Sequence, residues 1–360
     1  MKLTKWVCTA LFIVFSFAWL FWFQADMLTL AQHGLSGGKT HYDRTVGAVI
    51  ITAVLLIVQL LAYALTRLGH HAYALSWLPS FALLAFVSGV SHPFSWGHWR
   101  WGAPLLLVLW AALAVWMRRA DRRTENPQKH AGLFSRLLWV NLLQMVAMML
   151  GVAAMSNTDA VAHFKAHAEV ALRQGDAAEA ARVGRRSQET DPTLTMLRAF
   201  ALSQQGTLGE CLFQYPVAGT GLDLLPQPGS KSQLQLLPDS LFWQHLGFRP
   251  DTLGTRADSV GGPYTDYRLT ACLIDRKLED FISILVRHYP LLADSLPLHY
   301  REALMLYQQR VDTNFVYTDT ATLSRWHDFA QLDTLYPQKS ERRVRQMDYH
   351  RKTYWYYFFQ

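Results

Sequence analysis

Along the first 155 positions, apolar residues fall in long unbroken runs; beyond them they recur every three or four positions between charged residues. Five runs are long enough, or nearly so, to cross a bilayer as helices: 6–23, 46–65, 72–90, 101–117 and 137–155. A spanning helix needs about 20 apolar residues, because each adds only about 1.5 Å of rise. None of the five contains Asp, Glu, Lys, Arg or His. Pro79 in the third run predicts a kink, which membrane helices tolerate. The first run has Lys2 and Lys5 ahead of it, as a signal peptide would, but it is long and bulky and ends on a poor cleavage site. It reads as a retained helix. From residue 156 onward the pattern is that of an amphipathic helical protein. The expected fold class is therefore all-α, with a bundle of about five transmembrane helices (1–155) followed by an extracytoplasmic helical domain (156–360).

Charge divides at the same place. Of the 34 Lys and Arg, 12 precede residue 156, and of the 27 acids only 4 do, so the +7 net charge is carried by the membrane half. Basic residues beside spans are explained by phospholipid and by the positive-inside rule, so nucleic acid is rejected as a partner. With a cytoplasmic N-terminus, nine basic residues lie inside (Lys2, Lys5, Arg67, Arg118, Arg119, Arg122, Arg123, Lys129 and Arg136) and three outside (Lys39, Arg44 and Arg100). An odd number of spans then puts the C-terminal half outside, which in a Gram-negative bacterium is the periplasm. Trp96, Trp99 and Trp101 would form an interfacial belt on that face. Within the spans the notable polar residues are Gln59, Asn141 and Gln144, read as interhelical hydrogen-bonding groups rather than a substrate pathway.

The soluble half opens with two amphipathic helices around a turn. Phe164, Ala168, Ala171, Gly175, Asp176, Ala180, Asp191 and Pro192 fall at spacings that resemble a tetratricopeptide repeat. The resemblance implies that Ala168 and Ala180 let paired helices approach, that Gly175 permits the turn, and that Pro192 stops the second helix. His167 and Ala171 stand where that family prefers Leu and Tyr. A weaker copy follows with Ala199, Gly206, Leu208 and Cys211. Two such repeats are too few to be stable, so later helices are expected at 267–276, 279–288, 298–310, 320–335 and 340–352. Loops rich in Gly, Pro and Ser lie at 218–232 and 250–263. The motif Leu-Leu-x-Asp-Ser-Leu at 236–241 and 291–296 reads as two capped helix starts. The chain ends in Tyr354, Trp355, Tyr356, Tyr357, Phe358 and Phe359, expected to cap the open end of the helical stack. The whole arrangement also resembles uncharacterised membrane proteins of Bacteroidales bacteria, which implies a location but no chemistry.

Candidate chemistry is sparse. His92 and His98, with His33 and His41 on the same expected face, have the ligand types of a metal or haem site. His163 and His167 lie four apart on one helix, without the Glu or third ligand of a zinc protease. Cys211 and Cys272 are read as buried thiols, with a disulfide open if the half is extracytoplasmic. No nucleophile elbow, phosphate loop or Cys-x-x-Cys occurs. No cofactor is expected. The expected function is a membrane-anchored scaffold or adaptor of the bacterial inner membrane, binding the lipid bilayer through its spans and a protein partner through its repeats. A transport or export component is the alternative, and a membrane metalloenzyme the third reading.

Overall fold

The computed structural model describes residues 2–69, 72–89, 96–123, 136–226, 234–247, 262–292, 295–312 and 314–360. All regular structure among them is helical, in two compact units, 1–159 and 160–360. In the first unit, three helical stretches are long and apolar enough to cross a membrane: Leu3–Phe23, Arg44–Thr66 and Arg136–Met155. The first is α1 (Lys2–Ala18) continued by a wider helical turn over Trp19–Phe23; the others are α3 (Arg44–Thr66) and α6 (Arg136–Met155). The 72–90 run is instead a 3₁₀ turn over Tyr73–Trp77 leading into α4 (Leu78–Ser88), a shorter apolar segment. Pro79 sits in the first turn of α4, where no helical partner for its missing N–H is needed, so it starts a helix rather than kinking one. The 101–117 run lies within α5 (Trp96–Arg123), a helix of 28 residues that carries Pro104 in its interior.

Between the first two long helices, α2 (Ala25–Ser36) buries Ala25, Met27, Leu28 and Leu30 on one face. It was not expected from the sequence, because its apolar stripe is short and broken by polar residues. The core of the unit is aromatic: Phe12 lies 4.5 Å from Trp77 and 5.0 Å from Phe81, ring centre to ring centre. Ala48 and Leu55 of α3 and Met145 and Val152 of α6 close around them. The opposite faces of these helices carry exposed Val49, Ile57, Leu60, Leu143 and Leu150, the composition of surfaces that meet lipid.

The second unit is built from helical hairpins. α7 (Ala160–Arg173) turns at Gly175 into α8 (Ala177–Arg182). α9 (Pro192–Gln204) turns at Gly206 into α10 (Leu208–Cys211) and a 3₁₀ turn over Leu212–Gln214. After α11 (Asp239–Leu246), α12 (Pro263–Ile274) turns at Arg276 into α13 (Leu278–His288). α14 (Leu298–Arg310), α15 (Thr320–Leu335), α16 (Lys339–His350) and α17 (Tyr354–Phe358) complete the unit. The three turns are the same object. In each, a left-handed residue donates its N–H three residues back, and the next residue donates five back: Gly175 to Leu172 and Asp176 to Ala171, Gly206 to Ser203 and Thr207 to Leu202, Arg276 to Leu273 and Lys277 to Cys272. These bonds satisfy carbonyls that a helix end otherwise leaves bare.

Two expectations change here. α8 ends at Arg182, well before Pro192, and Pro192 opens α9 behind Asp191, whose carboxylate accepts the Leu194 N–H at 2.7 Å. Pro192 therefore starts the following helix and stops nothing. Of the two Leu-Leu-x-Asp-Ser-Leu copies, the first opens α11 at Asp239, but without a side-chain cap. The second lies just ahead of α14, with Asp294 outside the described residues, and the first amide of α14 is instead taken by the Glu210 carboxylate.

Candidate functional site

The intramembrane polar residues Gln59 and Asn141 converge on one place. The Gln59 amide donates to the Ser76 hydroxyl at 3.1 Å and to the Tyr73 hydroxyl at 3.4 Å. The Asn141 Oδ1 accepts the backbone N–H of Ala74 at 2.8 Å, while its amide nitrogen donates to Leu137 O on its own helix. Trp110 of α5 donates its indole N–H to Leu75 O at 2.9 Å, and Ser80 of α4 donates to Leu55 O at 2.7 Å. The 3₁₀ turn before α4 has backbone groups that α-helical bonding would have satisfied, and hydrocarbon offers no substitute. Asn141 of α6 and Trp110 of α5 supply it at Ala74 and Leu75, while Gln59 of α3 holds two hydroxyls of the same turn. Gln144 lies one turn beyond Asn141, and its Oε1 is buried without a partner among the described residues. At the membrane ends, Trp19 donates to Ser88 Oγ at 2.9 Å, and the Lys5 ammonium bonds the Tyr63 hydroxyl at 2.7 Å above the Tyr63 ring.

In the second unit the residues of the repeat pattern pack as follows. Ala168, Ala171, Ala180 and Ala199 are buried, so the backbones of α7, α8 and α9 approach closely. Phe164 covers Gly184, where an added Cβ would stand 3.0 Å from its ring. Gly175 and Gly206 are left-handed, Pro192 heads α9, and Cys211 ends α10, half-buried. Cys211 and Cys272 are both free thiols, and burial pushes both up.

Sequence reasoning missed the charged groups inside this unit. Glu169 is buried on α7 and accepts the N–H groups of Gln235 and Leu236 at 2.9 and 2.8 Å, pinning the loop before α11. Burial raises its carboxyl above the usual range despite those bonds. Arg198 is buried on α9 and donates to Val183 O at 3.1 Å and Pro216 O at 3.2 Å, with its guanidinium 4.6 Å from the Tyr215 ring centre. Burial lowers it to about 10. Asp266 accepts the hydroxyls of Tyr289 at 2.6 Å and Tyr300 at 3.1 Å, and burial raises it as well.

At the aromatic C-terminus, Tyr354 and Trp355 enter the core, while Phe359 stays exposed. Glu302 of α14 is fully buried, and its Oε2 meets His299 Nδ1 at 2.9 Å and the Tyr354 N–H at 2.8 Å. Trp355, also fully buried, donates its indole N–H to Glu302 O at 2.8 Å. The Tyr354 and Tyr357 hydroxyls reach back to Leu273 O and Ile274 O, the last carbonyls of α12. Arg276 explains its left-handed backbone here, since its side chain bonds Tyr357 O at 3.2 Å and lies over the Tyr357 ring. Phe213 packs edge-on against Tyr354, at 5.0 Å.

Histidine chemistry fares differently. His92 and the side chain of His98 lie outside the described residues, as do the side chains of Trp96, Trp99, Arg100 and Trp101. His33 and His41 are described, and among the described residues no three of His, Cys, Asp and Glu gather as a metal would require. His167 pairs with Glu179 at 3.3 Å, an exposed contact between α7 and α8.

A model described as a family of unknown function (DUF6057) matches residues 264–360, from the first turn of α12 to the last residue. That stretch contains Asp266, the Arg276 turn, the His299–Glu302 pair and the inserted aromatic end. No curated protein and no solved structure matches the chain.

Proposed function

We propose that this chain is a membrane-anchored helical-repeat scaffold or adaptor of the bacterial cell envelope, whose second unit binds a protein partner. The observation that carries this reading is how the polar groups of the membrane half are used. Gln59 bonds two hydroxyls, and Asn141 one backbone amide, of a single short turn of their own unit, as groups in an anchor would. The three hairpins with one shared turn support a tetratricopeptide-like reading of 160–288, a scaffold type that presents grooves to other chains. In this reading the membrane half has five spans, with α4 and α5 as the other two, and lies in the inner membrane. Its N-terminus is then cytoplasmic and its hairpin unit periplasmic.

The test is photocrosslinking in native membranes from positions on α7, α9 and α12. The expected result is one recurrent protein, captured by the full chain from all three positions. Capture of nothing but lipid from all three positions overturns the adaptor reading. A conduit is the second reading, favoured by the buried Thr52 hydroxyl, Trp77 indole N–H and Gln144 carbonyl, which have no hydrogen-bond partner among the described residues. It requires that Thr52→Val or Gln144→Leu abolish a measurable flux in proteoliposomes.

A further inference from the structure

α16 differs from every other helix of ten or more residues in the second unit: none of its residues is buried. It carries Lys339, Arg342, Arg343 and Arg345, and Arg351 and Lys352 follow directly, against two acids, Glu341 and Asp348. Arg342 reaches Asp333 at 3.4 Å, and Arg345 lies over the Tyr336 ring. Lys339, Arg343, Arg351 and Lys352 make no ion pair among the described residues. At helical spacing, Lys339, Arg343, Met347 and Arg351 form one outward stripe, with Val344 beside it. Val344 is 57% exposed, Met347 43% and Tyr349 70%, and Leu335 just before the helix is 65% exposed. Apolar side chains set among basic ones on a helix that buries nothing match the pattern of an interfacial helix.

What covers this face is decided by the rest of the chain. The same polypeptide carries three helices of membrane length, so a lipid surface is tethered to α16 at high effective concentration. Anionic headgroups complement the basic stripe, and the exposed Val344 and Met347 can enter the headgroup boundary. Of the C-terminal aromatics, Tyr354 and Trp355 are committed to the core through Glu302. We propose that α16 is a lipid-docking helix that lies on the surface of an anionic bilayer through Lys339, Arg343, Arg351, Lys352, Val344 and Met347. This requires only that the chain be membrane-anchored. It depends neither on the adaptor reading nor on the side of the membrane that the unit occupies.

The test uses the full chain, reconstituted into vesicles of phosphatidylcholine alone or of phosphatidylcholine with phosphatidylglycerol. A fluorophore is attached at Ser340→Cys in a background lacking Cys8, Cys211 and Cys272, and lipids carrying a headgroup-depth nitroxide act as quencher. Strong quenching is expected in the phosphatidylglycerol vesicles and weak quenching in phosphatidylcholine. High salt should reverse it, because screening shortens the reach of each charge. Each surface basic group strengthens such docking about fivefold, so Arg343→Glu combined with Arg351→Glu should abolish the quenching. Because α16 buries nothing, circular dichroism should show these variants folded. Equal quenching in the two lipids overturns the proposal, as does quenching untouched by the charge reversals. A label left unquenched in anionic vesicles also overturns it.

Discussion

The two units bury polar groups in different ways. The membrane half uses neutral side chains, Gln59, Ser76, Ser80 and Asn141, each bonded to a backbone group or another neutral side chain. The hairpin unit uses ionisable ones, Glu169, Arg198, Asp266 and Glu302, to pin a loop, two carbonyls, two phenols and the chain terminus. The jobs overlap, since in each unit some of these side chains satisfy backbone groups outside their own helix. The groups differ because a charge in hydrocarbon costs several kcal/mol with no water nearby to share it. In a domain that can be bathed in water, charge-assisted bonds are stronger than neutral ones and hold irregular segments better.

Removing the apolar plug of the hairpin unit should have the largest effect. Trp355→Ala leaves a cavity and should cost about 4 kcal/mol, measured as thermal unfolding of the full chain in nanodiscs. Glu302→Ala should cost about 3 kcal/mol, because His299 and the Tyr354 N–H both lose their acceptor. It should also speed hydrogen exchange at Tyr354 far more than at α7. The matching change in the membrane half, Asn141→Leu, should cost only about 1 kcal/mol and should show as faster exchange confined to the Tyr73–Trp77 turn. Equal costs for Glu302 and Asn141 would erase the distinction drawn between charged and neutral pins.

The smallest effect is one of pH. Burial holds the Glu169 carboxyl above its ordinary value in the folded chain. Such a group binds its proton more tightly folded than unfolded, so its contribution is full below the unfolded pKa and is lost as pH rises through the folded one. Glu169→Gln, which still presents an oxygen to the Gln235 and Leu236 amides, should therefore lie below the wild type at acid pH and gain on it toward neutrality. A stability difference that stays flat with pH would mean that the charge itself is not what burial opposes.

Much of the hairpin unit was legible in the sequence. Gly175 and Gly206 mark two turns because only glycine adopts a left-handed backbone without cost. The third hairpin, expected from helices at 267–276 and 279–288, has no glycine at its turn: Arg276 takes the left-handed position, and its side chain bonds Tyr357, 81 residues away. Nor could spacing reveal that α8 stops at Arg182, since Ala and Arg continue a helix readily. In the membrane half, run lengths located the three long helices, but a run of apolar residues does not distinguish one helix from a 3₁₀ turn followed by a shorter one.

By itself, the sequence determined that this protein is helical, that its first half carries helices long and apolar enough to cross a membrane, and that its charge is split between two unlike halves. Those properties depend on local periodicity and on transfer of side chains from water, and both are written residue by residue. Only the tertiary structure decided that Gln59 and Asn141 meet the same turn, that Glu302 receives the chain end, and that α16 is left bare. Each of these depends on which distant groups meet, and a hydrogen bond or a buried aromatic ring has no signature in the spacing of its own neighbours.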